Sequence, residues 1–213
     1  MIGTISLNLS FVLYLILYFP QIIHNRNPQS IQQLSLMMHL LLYVSYCLDL
    51  VYGFSSQLPW QYNVVSFVGI GLITTQHVQI IIDLKRRHQP VHMNYLIIIF
   101  LLILFSLLCF FSFMHARIDT QITAAIGYLS RLLFVIYIIP QLIKNNAMQS
   151  AQAISVYSIY LNLTLACLDT ISAWSLNWGW PNKLSAPLIG LLMLTLLMQT
   201  RSMRLNRNRQ III

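Results

Sequence analysis

The sequence contains no glutamate and only four aspartates, Asp49, Asp83, Asp119 and Asp169. Charged residues make up 8% of its 213 residues, against about 25% in an ordinary soluble domain. So little charge excludes a water-facing surface over most of the molecule. Cysteine is scarce too. Cys47, Cys109 and Cys167 each lie inside an apolar run, with no CxxC pair and no metal-ligand spacing. The expectation is three small buried side chains and no metal site. The chain has no phosphate-cradling glycine loop, no His-Glu-x-x-His and no nucleophile elbow, so no enzymatic activity and no cofactor is expected. No basic segment precedes the first apolar run, and no cleavable signal peptide is expected.

What fills the chain instead is apolar. Hydrophobic residues are 58% of it, and the mean hydropathy is +0.72. The net charge of +8 does not point to nucleic acid. The basic residues form no face or aromatic-interleaved patch, but short clusters between apolar runs, as membrane topology signals do.

A membrane helix needs about 20 mostly apolar residues. Stretches near 5–24, 33–54, 62–84, 93–115, 121–143, 153–175 and 183–200 qualify, which predicts an all-helical protein of seven spans. The breaks between them are turn-like, as at Asn25-Arg26-Asn27-Pro28 and Asn177-Trp178-Gly179-Trp180-Pro181. Arg26, the Lys85-Arg86-Arg87 run, Lys144 and the tail arginines 201, 204, 207 and 209 fall on alternate connections. The positive-inside rule then puts the C-terminus in the cytoplasm and the N-terminus outside.

The chain also repeats itself. Pro20-Gln21 recurs 120 residues later as Pro140-Gln141, and 8 of the 16 positions from 20 to 35 are identical at that offset. Cys47-Leu48-Asp49 matches Cys167-Leu168-Asp169, Trp60 matches Trp180, Thr75 matches Thr195, and Gln79 matches Gln199. Shared apolar bias does not place Pro, Gln, Asn, Trp and Asp in register, so a duplicated unit is expected. We divide the chain into a first three-helix repeat (1–84), a linker helix (85–120), and a second repeat with its basic tail (121–213). The unpaired fourth span restores the orientation, so the two repeats are parallel.

Pro-Gln at the end of the first helix of each unit, followed by a short polar loop and Ser, resembles the PQ-loop motif. The 3+1+3 layout resembles that of the PQ-loop, cystinosin and SWEET superfamily, over nearly the whole chain. The stretch Asp49-Leu50-Val51-Tyr52-Gly53, with Trp60 and Ser66-Phe67-Val68-Gly69, is similar to the half-size SWEETs of bacteria. The resemblance implies alternating access, with Pro20-Gln21 and Pro140-Gln141 as hinge or gate. Proline weakens a helix locally by removing a donor and crowding the preceding turn; the alternative is that both prolines merely end helices. In the cystinosin branch a proton-coupling Asp stands where this chain has Asn162, and in SWEETs a pocket Trp stands where it has Asp49.

A charge within the hydrocarbon costs several kcal/mol unless it faces a cavity or a partner. Asp49 and Asp169, related by the repeat, and Arg131, whose counterpart is Phe11, are such charges. One reading is a substrate site between the repeats. Arg131 would grip a carboxylate, and an Asp would hold an ammonium group or carry a proton. The other is a structural ion pair between Arg131 and Asp169. His77, with Ser66 and Thr74 near the same face, is a weaker candidate for a proton relay, and His39 weaker still. Thr75, Thr195, Gln79 and Gln199, which recur by the repeat, are expected to hydrogen-bond between helices.

The expectation is a secondary transporter of a small polar metabolite, an amino acid above others, coupled to protons. A SWEET-type sugar uniporter and a ligand or peptide receptor are the alternatives. The partners expected are the substrate, the proton and membrane lipid, without nucleic acid and without any need for an oligomer. The short loops suggest a bacterial inner membrane.

Overall fold

The computed structural model describes residues 1–88, 94–104 and 119–211, with side-chain surroundings through 205. Among the described residues every regular element is a helix. The first repeat holds α1 (Ile2–Ile16), α2 (Phe19–His24), α3 (Pro28–Gln33), α4 (Leu36–Ser55) and α5 (Trp60–Arg86). The short apolar helix α6 (Asn94–Leu104) follows. The second repeat holds α7 (Thr120–Ile136), α8 (Ile139–Met148), α9 (Val156–Ser175) and α10 (Trp180–Ile211).

Six stretches are long and apolar enough to cross a membrane: Ile2–His24, Leu36–Ser55, Trp60–Arg86, Thr120–Met148, Val156–Ser175 and Trp180–Leu205. They match six of the seven expected spans. The remaining one, 93–115, is described only over Asn94–Leu104, and its later part, Cys109 included, lies outside the described residues. Large apolar side chains such as Leu9, Val12, Phe67, Phe100 and Leu191 face outward, as lipid-facing helices require.

The helix boundaries follow from the sequence. α1 ends at Ile16 and α7 at Ile136, in each case four residues before a proline. Pro20 and Pro140 have no N–H to return to those carbonyls, and their rings crowd the preceding turn. The chain breaks at Leu17-Tyr18 and at Tyr137-Ile138, then resumes as α2 and α8 with the proline in the first turn, where a missing donor is harmless. Ser35 caps α4, its hydroxyl accepting the Met38 N–H, a common N-cap bond. α4 and α9 end in matching turns. Gln57 and Asn177 take left-handed φ of 54° and 51°, and the next amides, Leu58 and Trp178, bond back to Gly53 and Ala173.

Within each repeat the third helix packs against both the first and the second: α5 meets α1 and α4, and α10 meets α7 and α9. Between repeats the partners are exchanged, α1 lying on α9 and α7 on α4. The α4–α7 approach is close. A Cβ on Gly127 would stand 2.5 Å from the Tyr52 ring, so that position has room only for hydrogen. Six helices thus enclose a cavity with contributions from both repeats.

Candidate functional site

The Pro-Gln motifs sit at one end of this bundle. Gln21 is 6% exposed and Gln141 fully buried. The Gln21 amide nitrogen donates to the carbonyl of Ala153 at 3.0 Å, and its oxygen accepts the Ser155 N–H at 2.9 Å. Gln141 does the same in reverse, donating to the Gln33 carbonyl at 3.0 Å and accepting from Ser35 N–H at 2.8 Å. Each glutamine therefore clamps the strand of backbone that leads into the second helix of the other repeat. Asn25 and Asn145 extend the pattern by donating to Gln79 and Gln199. Those two return a bond to the Ile22 and Leu142 carbonyls, both at 3.0 Å. His24 and Lys144 also match, facing the carbonyls of Gln152 and Gln32. Backbone groups at the entries to α4 and α9 are thus satisfied across the repeat boundary.

Beyond the clamps lies the cavity. It is tight, with about 80 Å³ of free volume between its side chains, below the usual range for small-molecule sites. Both repeats line it, and Asp49, Arg131, Asn162 and Asp169 all reach it. So do five tyrosines, Tyr14, Tyr18, Tyr46, Tyr62 and Tyr137. The lining runs from Leu17, Tyr18 and Tyr137 beside the clamps to Gln61, Tyr62 and Trp178 at the α4–α5 and α9–α10 turns. There the Tyr62 and Trp178 rings meet edge to face, with centroids 6.0 Å apart.

Asp49 is 4% exposed and heavily bonded. Arg131 Nη2 lies 2.5 Å from its Oδ1. The Tyr62 hydroxyl donates to the same oxygen at 2.5 Å and Ser130 at 3.2 Å, while Ser66 donates to Oδ2 at 2.8 Å. Arg131 is also wedged between two rings, its guanidinium carbon 5.2 Å from the Tyr62 centroid and 5.3 Å from that of Phe134, within cation–π range. The alternative of a structural ion pair between Arg131 and Asp169 is not what the structure holds: Arg131 pairs with Asp49. The reason is the exchange of helices, which lays α7 on α4 and α9 on α1.

Asp169 has a different neighbourhood. Tyr14 donates to its Oδ2 at 2.5 Å, and among the described residues no cation stands within ion-pair distance of it. Asn162 lies on the same helix and donates to the Ser158 carbonyl at 2.8 Å, which leaves its oxygen for the cavity. Ser66 takes part at Asp49, whereas Thr74 bonds its own helix at Ile70. His77 is not part of the lining. It is fully buried in a separate cluster with His39 and Tyr95.

Sequence reasoning picked out the charges and missed their hydroxyl partners, Tyr14, Tyr62 and Ser130. Ser130 had a signal, since Ser10 occupies its place in the first repeat. Tyr14 and Tyr62 had none, because tyrosine is common throughout the chain.

The arrangement can do two things. A carboxylate saturated by a guanidinium and three hydroxyls is a fixed charged wall. A carboxyl held only by hydroxyls, facing a cavity, can exchange a proton or bind an ammonium group. Two matches to a known family model bear on this. The PQ loop repeat model matches residues 2–62 and again residues 122–182. Those two segments cover both motifs, both inward aspartates and Arg131. No curated protein sequence matches the chain.

Proposed function

This chain belongs to the PQ-loop repeat family, and we propose that it is an alternating-access secondary transporter of a small polar metabolite, an amino acid above others, driven by protons. The observation that carries the proposal is the cavity between the repeats with an unpaired carboxyl, Asp169, facing a charge-saturated pair, Asp49–Arg131. Intramembrane charges are costly, and they persist where substrate or ions pass. Asp169 takes the substrate ammonium group or the proton. Arg131, beside it, orients the substrate carboxylate, with Asn162 as a further polar contact.

The repeats, 1–84 and 121–213, move as bodies about the breaks before Pro20 and Pro140, with the linker segment 85–120 between them. The clamps of Gln21 and Gln141 close the end at which they lie. With the N-terminus outside and the C-terminus in the cytoplasm of a bacterial inner membrane, that end is cytoplasmic, and the cavity belongs to an outward-directed state. His77, away from the lining, has no part in this scheme.

The test is uptake into proteoliposomes of a panel of labelled amino acids and simple sugars, with and without an inward proton gradient. Gradient-driven accumulation of an amino acid, abolished by Asp169→Asn, is the expected result. Gradient-independent equilibration of a sugar would replace the proposal with a facilitator. Saturable binding without flux would replace it with a receptor.

A further inference from the structure

The second polar cluster of the molecule lies outside the cavity, where α4 and α5 meet α6. His39 and His77 are 1% and 0% exposed, and Gln76 is 1% exposed. The two imidazoles stand edge to face with centroids 5.7 Å apart, and the Tyr43 ring packs on His77 at 5.4 Å. Tyr95, at the start of α6, brings its hydroxyl 2.5 Å from His77 Nδ1. Among the described residues, both ring nitrogens of His39, Nε2 of His77 and the amide nitrogen of Gln76 are buried without a full hydrogen-bond partner. The His39 main chain also stands within hydrogen-bonding reach of the His77 ring.

The duplication supplies an internal control. The residues of the second repeat at these positions are Ile159 for His39, Leu196 for Gln76 and Leu197 for His77. All are buried, at 0%, 1% and 8% exposure. An apolar set therefore fills the same positions on the same scaffold. Packing alone does not call for two histidines and a glutamine. Buried polar atoms without partners are rare, and those near one another are generally completed by internal water. What distinguishes the first repeat at this place is α6, whose Tyr95 reaches the cluster. Association of helices in lipid relies on close packing and interhelical hydrogen bonds, because lipid provides no hydrophobic drive between them.

We infer that His39 and His77 form a binding site for one ordered internal water, which bridges the two imidazoles and, through the His77–Tyr95 bond, fixes the linker helix to the first repeat. The linker then travels with the first repeat and not with the second, whose matching face is apolar. The site is separate from the transport cavity and does not depend on the transport reading.

Two measurements test this on the full-length protein in lipid nanodiscs. The first is an experimental density map at a resolution that shows ordered water. A single peak within hydrogen-bond distance of His77 Nε2 and of a His39 nitrogen is expected, and it should vanish in the variant carrying the second repeat's residues, His39→Ile, Gln76→Leu and His77→Leu. A dry interface, or a metal identified there by anomalous scattering, would overturn the inference. The second is a double-mutant cycle in melting temperature with His77→Leu and Tyr95→Phe, both mild enough to keep the fold. The two losses should be strongly non-additive, the double variant melting close to the worse single one. Additive losses would overturn the docking role.

Discussion

At the level of the Pro-Gln motifs the two repeats form the same bonds twice, and about two helical turns further in they form different ones. Gln21 and Gln141 each clamp the other repeat's backbone, and Asn25–Gln79 mirrors Asn145–Gln199. In the cavity the symmetry fails residue by residue. Arg131 stands opposite Phe11 in the repeat, and Tyr14 opposite Phe134. The two related aspartates consequently end in unlike settings, Asp49 in an ion pair and Asp169 held by the hydroxyls of Tyr14 and Ser10. In the proposed transport cycle the clamped end would gain from symmetry, because both bodies would meet and part there together. A binding site gains from its loss, because a small substrate has no two-fold axis of its own.

The largest effect should come from breaking the asymmetric pair. Removing one partner of a buried ion pair leaves an uncompensated charge and costs about 3–5 kcal/mol. Arg131→Ala should therefore lower the melting temperature markedly and abolish uptake. Asp49→Asn should do much the same, since Tyr62, Ser66, Ser130 and Arg131 all bond that carboxylate. A paired change, Arg131→Met with Asp49→Leu, should recover stability without recovering transport, which separates the structural share of the pair from the functional one. Full transport by that double variant would place recognition elsewhere.

Next comes Asp169→Asn, which sharpens the contrast between the two aspartates. With hydroxyls as its bonded partners, Asp169 contributes little to holding the fold, and melting should shift far less than for Asp49→Asn. Uptake should fall by about tenfold or more, the loss expected for one charge-assisted hydrogen bond of about 1.5–3 kcal/mol, and lose its response to the proton gradient. A large drop in melting temperature would reverse the assignment of roles.

How much of this was legible differs between the two regions for the same reason. The clamping end could be read because its working residues, Pro20, Gln21, Asn25, Ser35 and Gln79, recur at a fixed offset, and polar identities in register stand out from an apolar background. Even the helix breaks follow from the prolines. The cavity announced only its charges, since an Asp or Arg in a membrane span is conspicuous alone. Which charge meets which depended on how the helices exchange between repeats, a packing choice that no single span encodes. Hence the structural pair weighed as one of two readings, Arg131 with Asp169, gives way to Arg131 with Asp49. His77 shows the opposite hazard. It lies on a plausible helical face, yet α5 turns it toward α6 instead of the cavity, and only the three-dimensional path of the linker reveals that.

The smallest effects should come from the symmetric end, and their equality is what they test. Gln21→Leu leaves the Ser155 amide and the Ala153 carbonyl without their partner, and Gln141→Leu does the same to Ser35 and Gln33. An unsatisfied buried backbone group costs about 1–3 kcal/mol, so each change should lower melting modestly and by nearly the same amount. Gln79→Leu and Gln199→Leu should cost less, near the ~0.6 kcal/mol average for interhelical bonds in membranes, and should also match each other. Because these bonds tie the two repeats together at that end, their loss should raise the rate at which cysteines placed beside Gln21 and Gln141 react with a water-soluble reagent, equally on both repeats. Unequal labelling would mean that the two clamps do not open together, and the closing end would then share the asymmetry of the cavity.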